Sequence, residues 1–146
     1  MRFFFFGTLM DADIRGIVLG RPLPDRQCLA AGIGGYRRVF AAGKDFPLLV
    51  TEPGGRVCGV LVGGLSRVEA ARLRHFEGDD YQLARRPVDL PDGSRCTAHL
   101  FLALARLHPT DEDWDFAAWR RRHKRRFQAR ARAIMAGYGR RERLSA

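Results

Sequence analysis

The residues of this sequence best placed for acid/base chemistry lie at the end of an amphipathic segment, His75-Phe76-Glu77-Gly78-Asp79-Asp80-Tyr81. Three carboxylates follow a helical pattern, where the helix dipole is negative and disfavours further negative charge. A carboxyl held there and partly buried has a raised pKa, and near neutrality it can both accept and donate a proton. The same residues also read as a solvated acidic loop. A second candidate is Phe6-Gly7-Thr8-Leu9, which follows a short aromatic run. Its glycine permits close backbone approach, and successive N–H groups at such a turn can hold an oxygen anion, with the Thr8 hydroxyl adding a further donor. It reads equally as an ordinary strand-ending turn. Cys28, Cys58 and Cys96 have neither CxxC nor Cys/His ligand spacing and are read as reduced core thiols; His75, His99, His108 and His123 complete no ligand set or triad. No metal site is expected.

These candidates need elements to carry them. Arg2 to Phe6 has the pattern of a buried strand, and Asp11 or Asp13 can cap a two-turn helix over Ile14, Ile17 and Val18 that stops at Gly20 and Pro22. Cys28 to Phe40, interrupted by Gly32, Gly34 and Gly35, reads as a bent strand. Leu48 to Thr51 and Val57 to Leu65 flank Glu52-Pro53-Gly54-Gly55, which reads as a hairpin turn between two strands. Ser66 and Glu69 form a capping box for a helix with Val68, Ala71, Leu73 and Phe76 on its buried side, ended by Gly78. Tyr81 to Leu90 and Arg95 to Leu104 flank Pro91-Asp92-Gly93-Ser94 and predict a second hairpin. From Thr110, a capping-box-like start with Asp113, a long amphipathic helix is expected to run to near Gly137, with Phe116, Trp119, His123, Phe127, Ala131, Ile134 and Tyr138 along one face. Trp114 and Trp119 read as packing residues. The order of elements indicates one α+β domain, with residues 1–108 as its core and 109–146 as a basic helical extension.

The ordered motifs resemble the gamma-glutamylcyclotransferase-like family, whose members open with a strand and a [YF]-G-[ST]-L loop and later carry x-[FY]-E-G-x-x-Y. The matching segments are Phe3 to Leu9 and His75 to Tyr81, with further resemblance at Gly35-Tyr36-Arg37-Arg38, Phe46-Pro47 and Gly59-Val60-Leu61. The resemblance implies a small mixed β-barrel with peripheral helices. It also implies a cofactor-free reaction, in which the α-amine of a γ-glutamyl group attacks its own side-chain carbonyl and closes 5-oxoproline while releasing an amine or amino acid. By that analogy Glu77 is the general acid/base, and Phe6, Gly7, Thr8, Leu9, Phe46, Pro47 and Tyr81 contact the γ-glutamyl substrate. The G-T-L form of the loop looks more like the γ-glutamylamine branch. Phe6 stands where many relatives have tyrosine.

At 146 residues, 46% hydrophobic and 29% charged, the chain has the composition of a globular domain, with no apolar run long enough to span a membrane and no cleavable leader pattern; a cytoplasmic location is expected. The net charge of +10 is not spread evenly. Residues 1–119 carry 15 basic and 15 acidic side chains, residues 120–146 carry 11 basic ones and only Glu142. Arginines around Trp119, His123 and Phe127 could be solvated or paired with the acidic residues of the core, with no specific nucleic-acid recognition, since no DNA-binding motif is present. The alternative is a catalytically idle domain of the same fold that holds an acidic partner with this helix. The oligomeric state is not legible in the sequence.

Overall fold

A computed structural model describes the backbone of residues 1–145 and the side chains of residues 1–140; Arg141, Glu142 and Arg143 of the basic run lie outside the described side chains. The elements are β1 (Phe3–Phe5), α1 (Ala12–Leu19), β2 (Cys28–Ala41), β3 (Pro47–Val62), α2 (Arg67–Glu77), β4 (Tyr81–Asp89), β5 (Arg95–Ala103), β6 (Pro109–Asp113), α3 (Phe116–Arg122) and α4 (Lys124–Ser145). The strands follow one another in the order β3, β1, β5, β4, β2, and β2 pairs again with β3, so five strands close into a barrel. β1 runs parallel to β5, with Phe3 opposite His99, and antiparallel to β3. The barrel is therefore mixed, with helices on its outside, as expected.

The Phe3-Phe4-Phe5-Phe6 run is explained by its place in this barrel. Successive strand side chains point to opposite faces. Phe4 and Phe6 enter the barrel interior with Ile33, Val57, Leu61, Val88 and Leu100, whereas Phe3 and Phe5 face a second core under the helices with Ile14, Val18, Leu73, Trp119 and Phe127. A strand with apolar residues on both faces needs cover on both sides, and the helices supply it.

Local signals were honoured where they were self-contained. Asp11 caps α1 by accepting from the Asp13 and Ile14 N–H groups, and Gly20 closes it in the left-handed conformation. Ser66 and Glu69 form the full capping box on α2. β4 and β5 form the expected hairpin. Within α2, however, Leu73 is buried and Phe76 packs against the core, while Val68 is exposed.

Three expectations are corrected. The segments around Glu52-Pro53-Gly54-Gly55 are one strand, β3, and not two strands of a hairpin; β3 forms its hairpin with β2, and residues 52–55 loop out opposite Gly35, where the register jumps between Gly34/Arg56 and Tyr36/Thr51. Residues 109–113 are not the start of a helix: they form an edge strand on β2, with Val39 opposite Asp113, and the helix begins after its true cap, Asp115. It breaks at His123 and continues through Ser145, beyond Gly137. The cysteines are free but not core thiols, since Cys28 and Cys96 are only partly buried and Cys58 is exposed.

The basic helices are tied to the core by charge as well as by rings. Trp114, Trp119 and Phe127 are buried packing residues. Lys124 lies 2.9 Å from Asp11 and 2.7 Å from Asp13, Arg120 lies 3.4 Å from Asp11, and Arg130 lies 2.6 Å from Asp45. Asp11 is 2% exposed, so its carboxylate depends on these cations. Replacing Lys124 by Ala leaves Oδ2 of that buried carboxylate with only the longer Arg120 contact, Oδ1 keeping its two backbone N–H donors, and is expected to cost about 1–3 kcal/mol in urea unfolding. The loss should shrink when Asp11 is replaced by Asn in the same chain. Among the described residues no helix is long and apolar enough to cross a membrane.

Candidate active site

The eight residues singled out in the sequence line one cavity of about 240 Å³: Phe6, Gly7, Thr8 and Leu9 from the turn after β1, Phe46 and Pro47 from the β2–β3 turn, Glu77 at the end of α2, and Tyr81 at the start of β4. Thr8 to Met10 form one turn of 3-10 helix, closed by Met10 N–H donating to the Gly7 carbonyl and Asp11 N–H to the Thr8 carbonyl. The first N–H groups of such a turn have no partner within it. Gly7 packs closely here: a Cβ would lie 3.0 Å from Pro47 Cγ, tight enough that the proline would have to shift. The loop and the β2–β3 turn are thus in direct contact across the cavity.

Glu77 ends α2 because Gly78 takes φ +74°, a conformation that side chains disfavour, and its N–H donates back to the Arg74 carbonyl. The three carboxylates of this segment are thereby separated. Asp79 is exposed. Asp80 reaches the cavity but is paired with Arg106 at 3.3 Å. Glu77 is half-buried and lines the cavity. Burial, with no cation or hydrogen bond to offset it, pushes the group up to about 8. The phenol of Tyr81 is also pushed up, by burial and then by the charges of Glu77 and Asp80, so it remains a neutral O–H. Its ring leans on Phe46, with centroids 6.5 Å apart.

Sequence reading did not anticipate the outer wall. α4 supplies Phe127, Arg130, Ala131 and Ile134 to the cavity, and Phe76 and Phe101 add rings from α2 and β5. The Phe127-Ala131-Ile134 spacing was visible as a helix face, but nothing in that spacing says that the face closes a cavity. Arg130, the cation at this wall, is held by two hydrogen bonds to the Asp45 carboxylate at 2.6 and 2.7 Å and lies over the Phe127 ring. None of the three cysteines lines the cavity. The arrangement is an aromatic enclosure lined by the Glu77 carboxyl, which burial raises to about 8, and by the Phe6–Leu9 turn.

Residues 3–121 match the family model described as gamma-glutamyl cyclotransferase, AIG2-like. The chain belongs to that family. Among curated relatives, AIG2-like protein A of Arabidopsis thaliana is 25% identical over 134 residues, covering 90% of this chain and 79% of the relative. In fold, this AIG2-like chain superposes on the solution structure of an Arabidopsis thaliana protein with a TM-score of 0.67 at 22% identity, covering 94% of this chain and 83% of that one. A solved structure named gamma-glutamyl cyclotransferase superposes with a TM-score of 0.55 at 14% identity, covering 74% of this chain and 68% of the other. The family match ends within α3, so the α4 wall of the cavity lies beyond it.

Proposed function

We propose that this AIG2-like chain is a cofactor-free γ-glutamyl cyclotransferase with Glu77 as its general acid/base. The observation that carries the reading is the Glu77 carboxyl, raised to about 8 by burial and lining the same aromatic cavity as the Phe6–Leu9 loop. The substrate's α-ammonium gives a proton to Glu77, and the freed amine attacks the γ-carbonyl carbon. The five-membered lactam closes, the original amide C–N bond breaks, and Glu77 returns the proton to the departing nitrogen; the second proton that the attacking nitrogen sheds on becoming the lactam N–H goes the same way, so the amine leaves as an ammonium. One γ-glutamyl amide yields one 5-oxoproline and one amine or amino acid, with no water or external oxidant consumed. Because the attack is intramolecular, the site has chiefly to fold the substrate into an attacking geometry and relay protons from the attacking to the departing nitrogen through one carboxyl. Backbone N–H groups of Phe6 to Leu9 hold substrate oxygen, the rings of Phe6, Phe46 and Tyr81 pack on its carbon chain, and Pro47 fixes the turn that carries Phe46. Phe6 contributes a ring without a hydroxyl, so the substrate is oriented here by backbone and by Tyr81.

The test is release of 5-oxoproline from a panel of γ-glutamyl amines, γ-glutamyl dipeptides and glutathione by the purified chain. Turnover of at least one member is the expected result, with γ-glutamyl amines favoured by the G-T-L loop. Failure across the panel would favour the domain as a binder of an acidic partner. For that role the exposed Arg121, Arg122, Arg125 and Arg126 are the cations to neutralise, and binding would weaken steeply with salt.

A further inference from the structure

We infer that Arg38, on β2 outside the cavity, is a positioning residue that aims the Gly7 N–H group at the substrate. This rests on the reading of the Phe6–Leu9 loop as the holder of substrate oxygen. Arg38 differs from its neighbour in the chain. Arg37 turns outward and pairs with Asp113 at 2.7 Å. Arg38 is half-buried and has no ion pair to a carboxylate among the described residues. Its guanidinium is spent on backbone carbonyls: Nη1 donates to Phe6 O at 2.8 Å and to Cys58 O at 3.0 Å, and Nε donates to Trp114 O at 3.2 Å. The Trp114 ring lies beneath it, 5.2 Å from centroid to guanidinium carbon. Burial disfavours the cation and lowers its pKa, outweighing the attraction of Cys58 and Asp115. An arginine kept in that setting must be justified by what it holds.

What it holds is the peptide plane that opens the site. In a trans peptide the carbonyl of one residue and the N–H of the next point in opposite directions, and the chain contains no cis bond. With the Phe6 carbonyl drawn to Arg38, the Gly7 N–H is aimed the other way. Arg38, Cys58 and Trp114 line an outer groove, whereas Phe6 and Gly7 line the cavity. The side of the loop facing away from Arg38 is therefore the cavity side. A cation on the carbonyl also polarises the amide and strengthens its N–H as a donor. Nη1 further touches Met10 Sδ at 3.5 Å, at the far end of the same turn, so Arg38 fixes the loop at both ends. Glycine at position 7 has no side chain to resist rotation of this plane, and an external brace is needed.

The geometry separates this role from general scaffolding, because Arg38 binds three carbonyls whose following amides are Gly7, Gly59 and Asp115. Only the first opens on the cavity. The experiment compares wild type with Arg38→Met and Arg38→Lys by amide NMR, with 5-oxoproline as the probe ligand, and by steady-state kinetics of 5-oxoproline release. In wild type, 5-oxoproline should move the Gly7 amide. Arg38→Met should abolish that response and raise KM roughly 10- to 100-fold with kcat within about threefold, the pattern of a lost ground-state contact. Arg38→Lys keeps the charge but not the fork, and should recover part of both; it also serves if the Met variant does not fold. A folded variant whose Gly7 amide, 5-oxoproline response and KM match wild type would overturn the inference, as would Gly59 and Asp115 shifts equal to that of Gly7. If wild type turns over no γ-glutamyl compound, the proposed function fails. The Gly7 amide shift between wild type and the variants still decides the role of Arg38.

Discussion

Glu77→Gln is expected to lower 5-oxoproline release by roughly 10²- to 10⁴-fold, the usual contribution of a positioned proton carrier. The same variant should be more stable than wild type at alkaline pH. The Glu77 carboxyl has an ordinary value of 4.5 and is raised to about 8 by burial in the fold. Between those two values the unfolded chain has released the proton while the native chain keeps it. Native stability from this group is complete below about pH 4.5, falls as pH rises through the interval, and levels off above about 8. The cumulative loss is on the order of a few kcal/mol. Glutamine does not titrate, so the variant escapes it, and urea unfolding at pH 5 and pH 8 should show the two proteins diverging at the higher pH. For wild type, kcat/KM should rise with pH towards a limb near 8, because free Glu77 must be ionised to take the ammonium proton. An active Glu77→Gln chain would remove the acid/base role; parallel pH dependence of stability in both chains would remove the buried, protonated carboxyl.

Phe127→Ala should destabilise the chain by about 3–5 kcal/mol in urea unfolding, the range for a large aromatic lost from a core. Phe127 is 7% exposed, meets the Trp119 ring edge-on at 5.5 Å and the Phe76 ring at 6.1 Å, and carries Arg130 on its face. It is also part of the cavity wall, so turnover measured well below the melting temperature should fall with the stability, chiefly through KM. A chain that kept wild-type stability after this change would mean that α4 is only a tail laid on the barrel. The ion pairs of Lys124 and Arg130 with Asp11, Asp13 and Asp45 argue the same point from charge: this part of the basic excess neutralises the core's own acids.

Capping residues and compact turns were readable from the chain because their physics is local. Asp11, Ser66 with Glu69, and the Pro91 to Ser94 turn act within a few residues of themselves, and each appears where its sequence places it. The four-phenylalanine run required cover on both faces, and a barrel with outer helices is one way to provide it. Glu77 and the Gly7 turn were recognisable as an ordered pair of motifs, though either alone was as consistent with a surface loop. The Pro53-Gly54 signal shows where such reading stops. The chain does turn aside there, with Gly54 at φ +79°, but whether it reverses direction or rejoins the same strand is set by its pairing with β2. Likewise Thr110 to Asp113 has the residues of a helix start and becomes an edge strand because Val39 and Ala41 offer it a partner.

The raised pKa of Glu77 belongs to the same class, since sequence puts the carboxyl at a helix end, while its desolvation comes from the rings and helices packed around it. The α4 wall and the Arg38 brace are further still from local pattern. Arg38 lies 32 residues from the carbonyl it holds, beside an arginine that does something else. Burial, enclosure and pairing are relations between distant segments, and they exist only once the barrel has closed.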